Sequence, residues 1–145
     1  PVRKAFFARD LAAKVIDLSQ PVLTAAGAVA KFVEKTEDVL LYADESQISQ
    51  ILINLVKNAA QAGARHIEIS AEIDKRDNVI INVSNDGPAI SPASQEEIFI
   101  PFFTTKPDGS GIGLSLSRQI MRMHGGTLRL TRSDSEATVF TLIFK

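Results

Sequence analysis

Three clusters of residues have types and spacings suited to binding chemistry. In the segment 44–62, Gln47, Gln50, Asn54, Asn58 and Gln61 recur at intervals of three and four. At about 100° per residue they fall within roughly 80° of one another on a helix. Ile48, Ile51, Leu52, Leu55, Ala59 and Ala62 occupy the adjoining face as an apolar stripe. A solvated helix face ordinarily carries Lys and Glu, because Asn is a poor helix former. A row of uncharged amides instead offers neutral carbonyl oxygens to a hard cation or a polar ligand; the competing reading is a plain exposed polar face. The second cluster, Val83-Ser84-Asn85-Asp86-Gly87-Pro88-Ala89-Ile90, is a turn signal by its Asn-Asp-Gly-Pro core. An amide or carboxylate oxygen there can equally accept a proton from a nucleobase amine, with Gly87 letting a ring approach the backbone.

The third cluster is Thr104-Thr105-Lys106-Pro107-Asp108-Gly109-Ser110-Gly111-Ile112-Gly113-Leu114. Glycines at i, i+2 and i+4 free several N–H groups to aim at one point. The N-terminus of the helix that follows adds partial positive charge, which makes a phosphate cradle. A Rossmann turn needs glycines at i, i+2 and i+5 after a strand, and a P-loop ends Gly-Lys-Ser/Thr; neither fits, and a flexible loop is the alternative. Ile98-Phe99-Ile100-Pro101-Phe102-Phe103 reads as an apolar anchor for a loop that closes over a ligand.

These clusters need elements to hold them. Residues 6–26 show helical apolar spacing, with Pro21 expected to bend or divide the helix and Gly27 to stop it. Short strands are expected at 28–34 and 39–42. Asp44 stands at an N-cap position with Gln47 three residues on, a capping box opening a helix to Ala62. Alternation in Ile67, Ile69, Ala71, Ile73 and in Val79, Ile81, Val83 gives a hairpin across 74–78. A helix over 113–123 ends at Gly125-Gly126, and 127–132 with 138–144 close the chain as a second hairpin. Hairpins with helices collected on one face describe an α+β fold, a two-layer α/β sandwich.

The chain has 145 residues, 16 Lys+Arg against 17 Asp+Glu, and no Cys. That length suits one domain over 1–145 and needs no metal or disulfide staple. The missing Cys excludes a disulfide framework, a thiolate zinc site and a cysteine nucleophile. A net charge of −1 gives no electrostatic reason to expect nucleic acid or an anionic membrane surface as partner. No apolar run approaches the ~18 residues of a membrane span. Beginning at Pro1, the chain is expected to be a fragment of a longer protein, and the domain itself to be soluble and intracellular.

In this order the motifs resemble the ATP-binding catalytic domain of bacterial sensor histidine kinases, of the superfamily shared with gyrase, Hsp90 and MutL. Asn54-Leu55-Val56-Lys57-Asn58-Ala59 resembles that family's N box, and Asn85 to Ile90 its first glycine box. Phe99-Ile100-Pro101-Phe102 resembles the F box and Gly109 to Leu114 the second glycine box. The resemblance implies a mixed, mostly antiparallel sheet packed on three helices, binding ATP with Mg²⁺. Asn58 would ligate Mg²⁺, while Asn54 and Gln61 would line the phosphate and metal region. Asn85, Asp86, Gly87 and Ile90 would border the adenine. Thr105, Lys106, Gly109, Ser110, Gly111, Ile112, Gly113 and Leu114 would surround the phosphates.

By the same resemblance the γ-phosphoryl acceptor is a histidine on a separate dimerisation module of the same protein. A response-regulator receiver domain follows indirectly. The parent protein would be a homodimeric two-component sensor kinase, with this domain cytoplasmic and the parent anchored in the inner membrane or not. A stand-alone ATPase, a serine kinase of the same fold and a nucleotide-binding pseudo-kinase regulator are the alternatives. Two positions depart from the family pattern. Asn85 stands where the family has the Asp that accepts the adenine amine, and Ala89 replaces the second Gly. Losing charge assistance there costs on the order of 1 kcal/mol, about fivefold in affinity. Asn54 stands where ATPases of the superfamily carry a water-activating Glu, which favours phosphoryl transfer over hydrolysis. His66 and His124 are expected to be structural, His124 as a cation favoured by a helix C-terminus.

Overall fold

Along the strands at 40–43 and 79–85 buried residues alternate with more open ones, and helices close over the buried face of the larger sheet. The computed structural model describes residues 2–95, 97–100 and 113–145. The elements are β1 (Lys4–Phe7), α1 (Ala8–Leu18), α2 (Gln20–Ala26), β2 (Val29–Glu34), β3 (Leu40–Ala43), α3 (Glu45–Gln61), β4 (His66–Ile73), β5 (Val79–Asn85), α4 (Pro92–Gln95), α5 (Gly113–Met123), β6 (Thr127–Ser133) and β7 (Thr138–Phe144). Five strands form one sheet in the order β2-β4-β5-β7-β6, and β1 pairs with β3 separately.

Within the larger sheet β2 and β4 run parallel while the other pairs are antiparallel. Parallel neighbours cannot be joined by a tight turn and need a crossover. Here the crossover contains β3 and α3, which lays the amide-bearing helix across the sheet. Ile67, Ile69, Ala71, Ile81, Val83, Phe140 and Leu142 supply the inner face of the sheet. Ile48, Ile51, Leu52, Leu55, Val56 and Ala59 meet it from α3, each at most 5 % exposed. Burying a side chain of this size contributes roughly 1.5–3 kcal/mol.

The expected two-layer α+β sandwich is present, with its single parallel pair and both hairpins. The first helix divides as expected, at Ser19, with Pro21 in the opening turn of α2, where its missing N–H costs nothing. Three details differ. Phe6 belongs to a strand, because Lys4–Phe7 pairs with Leu40–Ala43. Ala62 is the exposed C-cap of α3 and not part of the core stripe. A short helix, α4, interrupts the stretch expected to be irregular.

At the head of α3, Asp44 Oδ1 accepts from Gln47 N–H at 3.1 Å, as a capping residue should. The reciprocal half of the capping box does not form. The Asp44 N–H donates to His124 Nε2 at 3.1 Å, and Gln47 Oε1 is left buried with no partner among the described residues.

Candidate functional site

The second half of α3 carries the amides. Asn54 and Asn58 are half-buried and Gln61, the last residue of the helix, is exposed. Asn54 Nδ2 is buried and meets no acceptor among the described residues. An orphaned buried amide donor costs roughly 1–3 kcal/mol, a cost that an oxygen-bearing ligand at this point would remove.

Directly against Asn54 sits Gly113, the first residue of α5. A Cβ on Gly113 would lie 2.7 Å from Asn54 Oδ1 and 2.8 Å from Nδ2. A side chain at residue 113 would force the Asn54 amide to shift, and with glycine there the start of α5 and the amide row meet at one point. Leu114, expected beside the phosphates, is half-buried and packs against the core. Thr105, Lys106, Gly109, Ser110, Gly111 and Ile112 lie outside the described residues, as do Pro101 and Phe102. Before that stretch, Phe99 is held between the Arg118 guanidinium, 3.7 Å from its ring centroid, and the edge of Phe140 at 6.3 Å.

Asn85 and Asp86 face different ways. Asn85 ends β5 in register with Ile67 and Thr138, so it shares the sheet face that looks toward the helices. Its Oδ1 accepts from Gly87 N–H at 2.9 Å. A carbonyl oxygen has a second lone pair, so this turn leaves Asn85 able to accept again. A Cβ on Gly87 would stand 3.2 Å from the Ala64 nitrogen, which keeps the turn tight against the end of α3. Ile90 packs against the core, and its N–H donates to Ser133 Oγ at 2.8 Å.

Asp86 turns to the start of β4. Its Oδ1 accepts from Arg65 N–H at 2.8 Å and His66 N–H at 2.9 Å, and Oδ2 meets His66 Nδ1 at 2.7 Å. The hydrogen bonds from His66, backbone first, pull the carboxyl down to about 2. A hollow of about 500 Å³ beside it is lined by Lys31, His66, Glu68, Ser84 and Glu136 among others, and by no residue of α3.

His124 is expected from sequence to be structural, but what it holds could not be foreseen. Its Nδ1 meets Ile120 O at 2.9 Å, and Nε2 accepts from Asp44 N–H. A carbonyl can only accept and an amide N–H can only donate, so the ring is a neutral Nδ1–H imidazole. The expected helix-terminal cation is thereby corrected. Only the His-Gly-Gly after a helix hinted at such a role, and a contact across 80 residues leaves no local signal.

No group of three or more His, Cys, Asp or Glu side chains is placed to hold a metal among the described residues. Asn54, Asn58 and Gln61 offer amide oxygens to a cation, with oxygens of a ligand to complete its shell. That donor set suits Mg²⁺, which keeps several waters and few protein ligands.

The family of histidine kinase-, DNA gyrase B- and HSP90-like ATPases matches residues 43–145, the span that holds α3, the Asn85–Asp86 turn and α5. The chain belongs to this family. Among relatives within it, sensor histidine kinase ZraS of Salmonella typhimurium is 39% identical over 104 residues, covering 70% of this chain and 22% of that protein. Sporulation kinase B of Bacillus subtilis is 30% identical over 138 residues, covering 92% of this chain and 32% of that one. The chain thus spans about a fifth to a third of the curated relatives it matches. The solved catalytic domain of histidine kinase ThkA has a TM-score of 0.87 and 34% identity, covering 99% of this chain and 95% of that one. ThkA is also solved in complex with response regulator protein TrrA; that structure gives a TM-score of 0.78 at 31% identity, covering 99% of this chain and 42% of that one.

Proposed function

We propose that this chain binds Mg-ATP and donates the γ-phosphoryl group to a histidine on a separate helical module of a two-component sensor kinase. The observation that carries the reading is the buried Asn54 Nδ2, without a partner among the described residues, facing a Cβ-less Gly113 where α3 meets the head of α5. In this reading the Asn54 donor takes a phosphate oxygen, and Asn58 offers its carbonyl oxygen to Mg²⁺. Gln61 borders the same region. Asn85, on the helix-facing side of the sheet, accepts from the adenine amine, and Gly87 lets the ring lie close to the backbone. Lys106, Ser110 and the N–H groups of Gly111 and Gly113 hold phosphate oxygens.

When bound, Mg²⁺ supplies charge neutralisation of the phosphates. The protein's own contribution is positioning: transfer needs an acceptor nitrogen in line with the γ-phosphorus while the bond to the ADP oxygen breaks. ThkA's complex with a response regulator supports a receiver domain as the next acceptor for the parent of this chain. No helix among the described residues is long and apolar enough to cross a membrane; a cytoplasmic domain of a parent that is or is not membrane-anchored fits that finding.

The test is a calorimetric titration with a non-hydrolysable ATP analogue, with and without Mg²⁺. Binding that tightens with the metal, and loses most of that tightening in Asn58→Ala, supports the assignment. Binding indifferent to Mg²⁺ points to a nucleotide-sensing pseudo-kinase, and no binding removes the proposal.

A further inference from the structure

We infer that His124, kept as the neutral Nδ1–H tautomer, is a positioning residue that sets how Gly113, at the head of α5, meets Asn54. The helices α3 and α5 lie antiparallel and are tied at both ends. At one end Gly113 abuts Asn54. At the other, His124 Nε2 accepts from the Asp44 N–H, the first residue before α3. Asp44 to Asn54 and Gly113 to His124 are near-equal stretches of helix, each roughly 16 Å long. A shift at the His124 end therefore slides α5 along α3 and moves Gly113 against an amide that already leaves no room for a Cβ.

Both partners of the ring are main-chain atoms that cannot exchange roles, so the tautomer is dictated. A second proton would place an Nε2–H against the Asp44 N–H, donor against donor. The Asp44 carboxylate offers no simple replacement geometry. Its Oδ1 caps Gln47 and its Oδ2 accepts from Val2 N–H at 2.9 Å. Protonation would draw the ring from the N–H toward that carboxylate. The charged groups on the elements that meet here are Asp44 itself, Glu45, and Lys4, 3.6 Å from Glu45. Arg3 joins them, donating to Met123 O at 3.0 Å, and α5 contributes Arg122. Nucleotide affinity thus depends on an uncharged His124, which lies eleven residues from Gly113 and outside the binding residues.

The inference rests on the nucleotide-binding reading, and the experiment separates the two. The ThkA catalytic domain was solved as a chain of nearly this extent, so the 145-residue chain is a fair unit to test. Nitrogen NMR of the ring, without nucleotide, reads the tautomer. Titration with Mg²⁺ and an ATP analogue is then repeated across the imidazole range, roughly pH 5 to 8, on wild type, His124→Gln and His124→Phe. A glutamine can still accept from the Asp44 N–H and does not titrate. The expected result is an Nδ1–H ring at the upper pH and wild-type affinity that falls about fivefold further on acidification than that of His124→Gln. Protonation of the analogue itself is common to both and cancels in the comparison. His124→Phe binds about fivefold more weakly than His124→Gln throughout; if it fails to fold, the glutamine comparison and the NMR decide alone. An Nε2–H ring, or parallel pH profiles for wild type and His124→Gln, overturns the inference while leaving nucleotide binding intact. Absence of binding in every variant overturns both.

Discussion

The Asp86 carboxylate collects three hydrogen bonds from the first residues of β4, and Asn85 beside it is turned to the helical layer. Sequence alone leaves open which of the two touches the base, because Asn-Asp-Gly-Pro has two adjacent acceptors. Strand register places Asn85 on the helix-facing side, and the hydrogen bonds to Arg65 and His66 turn Asp86 away from it. Asn85→Asp is expected to tighten nucleotide binding about fivefold by restoring charge to the acceptor, as measured by titration. Asp86→Ala should leave that affinity nearly unchanged and lower stability instead. Because the Asp86 carboxyl is depressed from 3.8 to about 2, the unfolded chain takes up its proton first as pH falls. Its stabilising contribution is present above about pH 4 and lost on descending toward 2. Melting curves of wild type should converge on those of Asp86→Ala across that interval. If Asp86→Ala abolishes binding while Asn85→Ala does not, the roles are reversed.

At the scale of elements, what could be read from the chain was what local chemistry dictates. The Asp44 cap, the apolar stripe of α3, the alternation of β4 and β5 and the stop at Gly125-Gly126 all follow from periodicity and capping. What could not be read depends on partners distant in sequence. Lys4–Phe7 is a strand only because β3 pairs with it, and Gln47 loses its reciprocal cap because His124 arrives first. The amide row was legible as unusual, yet the reason Gly113 must be glycine is visible only where α5 meets α3. A methyl group there stands under 3 Å from the Asn54 amide. Gly113→Ala should therefore cost roughly 1–3 kcal/mol by overpacking. Much of that cost should vanish in the Asn54→Ala background, which removes the colliding amide. A double-mutant cycle by chemical denaturation measures it, and additive single effects would show that the two residues do not press on each other.

The molecule as a whole places its only α3 carboxylate, Glu45, in the first turn of that helix, roughly 13 Å along the axis from Asn54. A general base must come within hydrogen-bonding reach of the proton it removes, and α3 offers none beside the amide row. A fold that aligns a triphosphate without activating water can hold ATP without consuming it, and it then needs an external nucleophile. The isolated chain should accordingly bind Mg-ATP and release phosphate slowly. Adding a separately prepared helical module with an exposed histidine should produce acid-labile, base-stable label on that module when γ-labelled ATP is supplied. Asn54→Ala should impair nucleotide binding and labelling together, because it removes the amide donor assigned to a phosphate oxygen. Brisk phosphate release that ignores the module would instead assign the chain to the hydrolytic branch of its family, with a base outside α3. Acid-stable label on serine would assign it to the serine kinases. The arrangement of α3 against α5 is compatible with each of these chemistries; the missing carboxylate at residue 54 speaks against hydrolysis, and the acid stability of the label separates the two kinases.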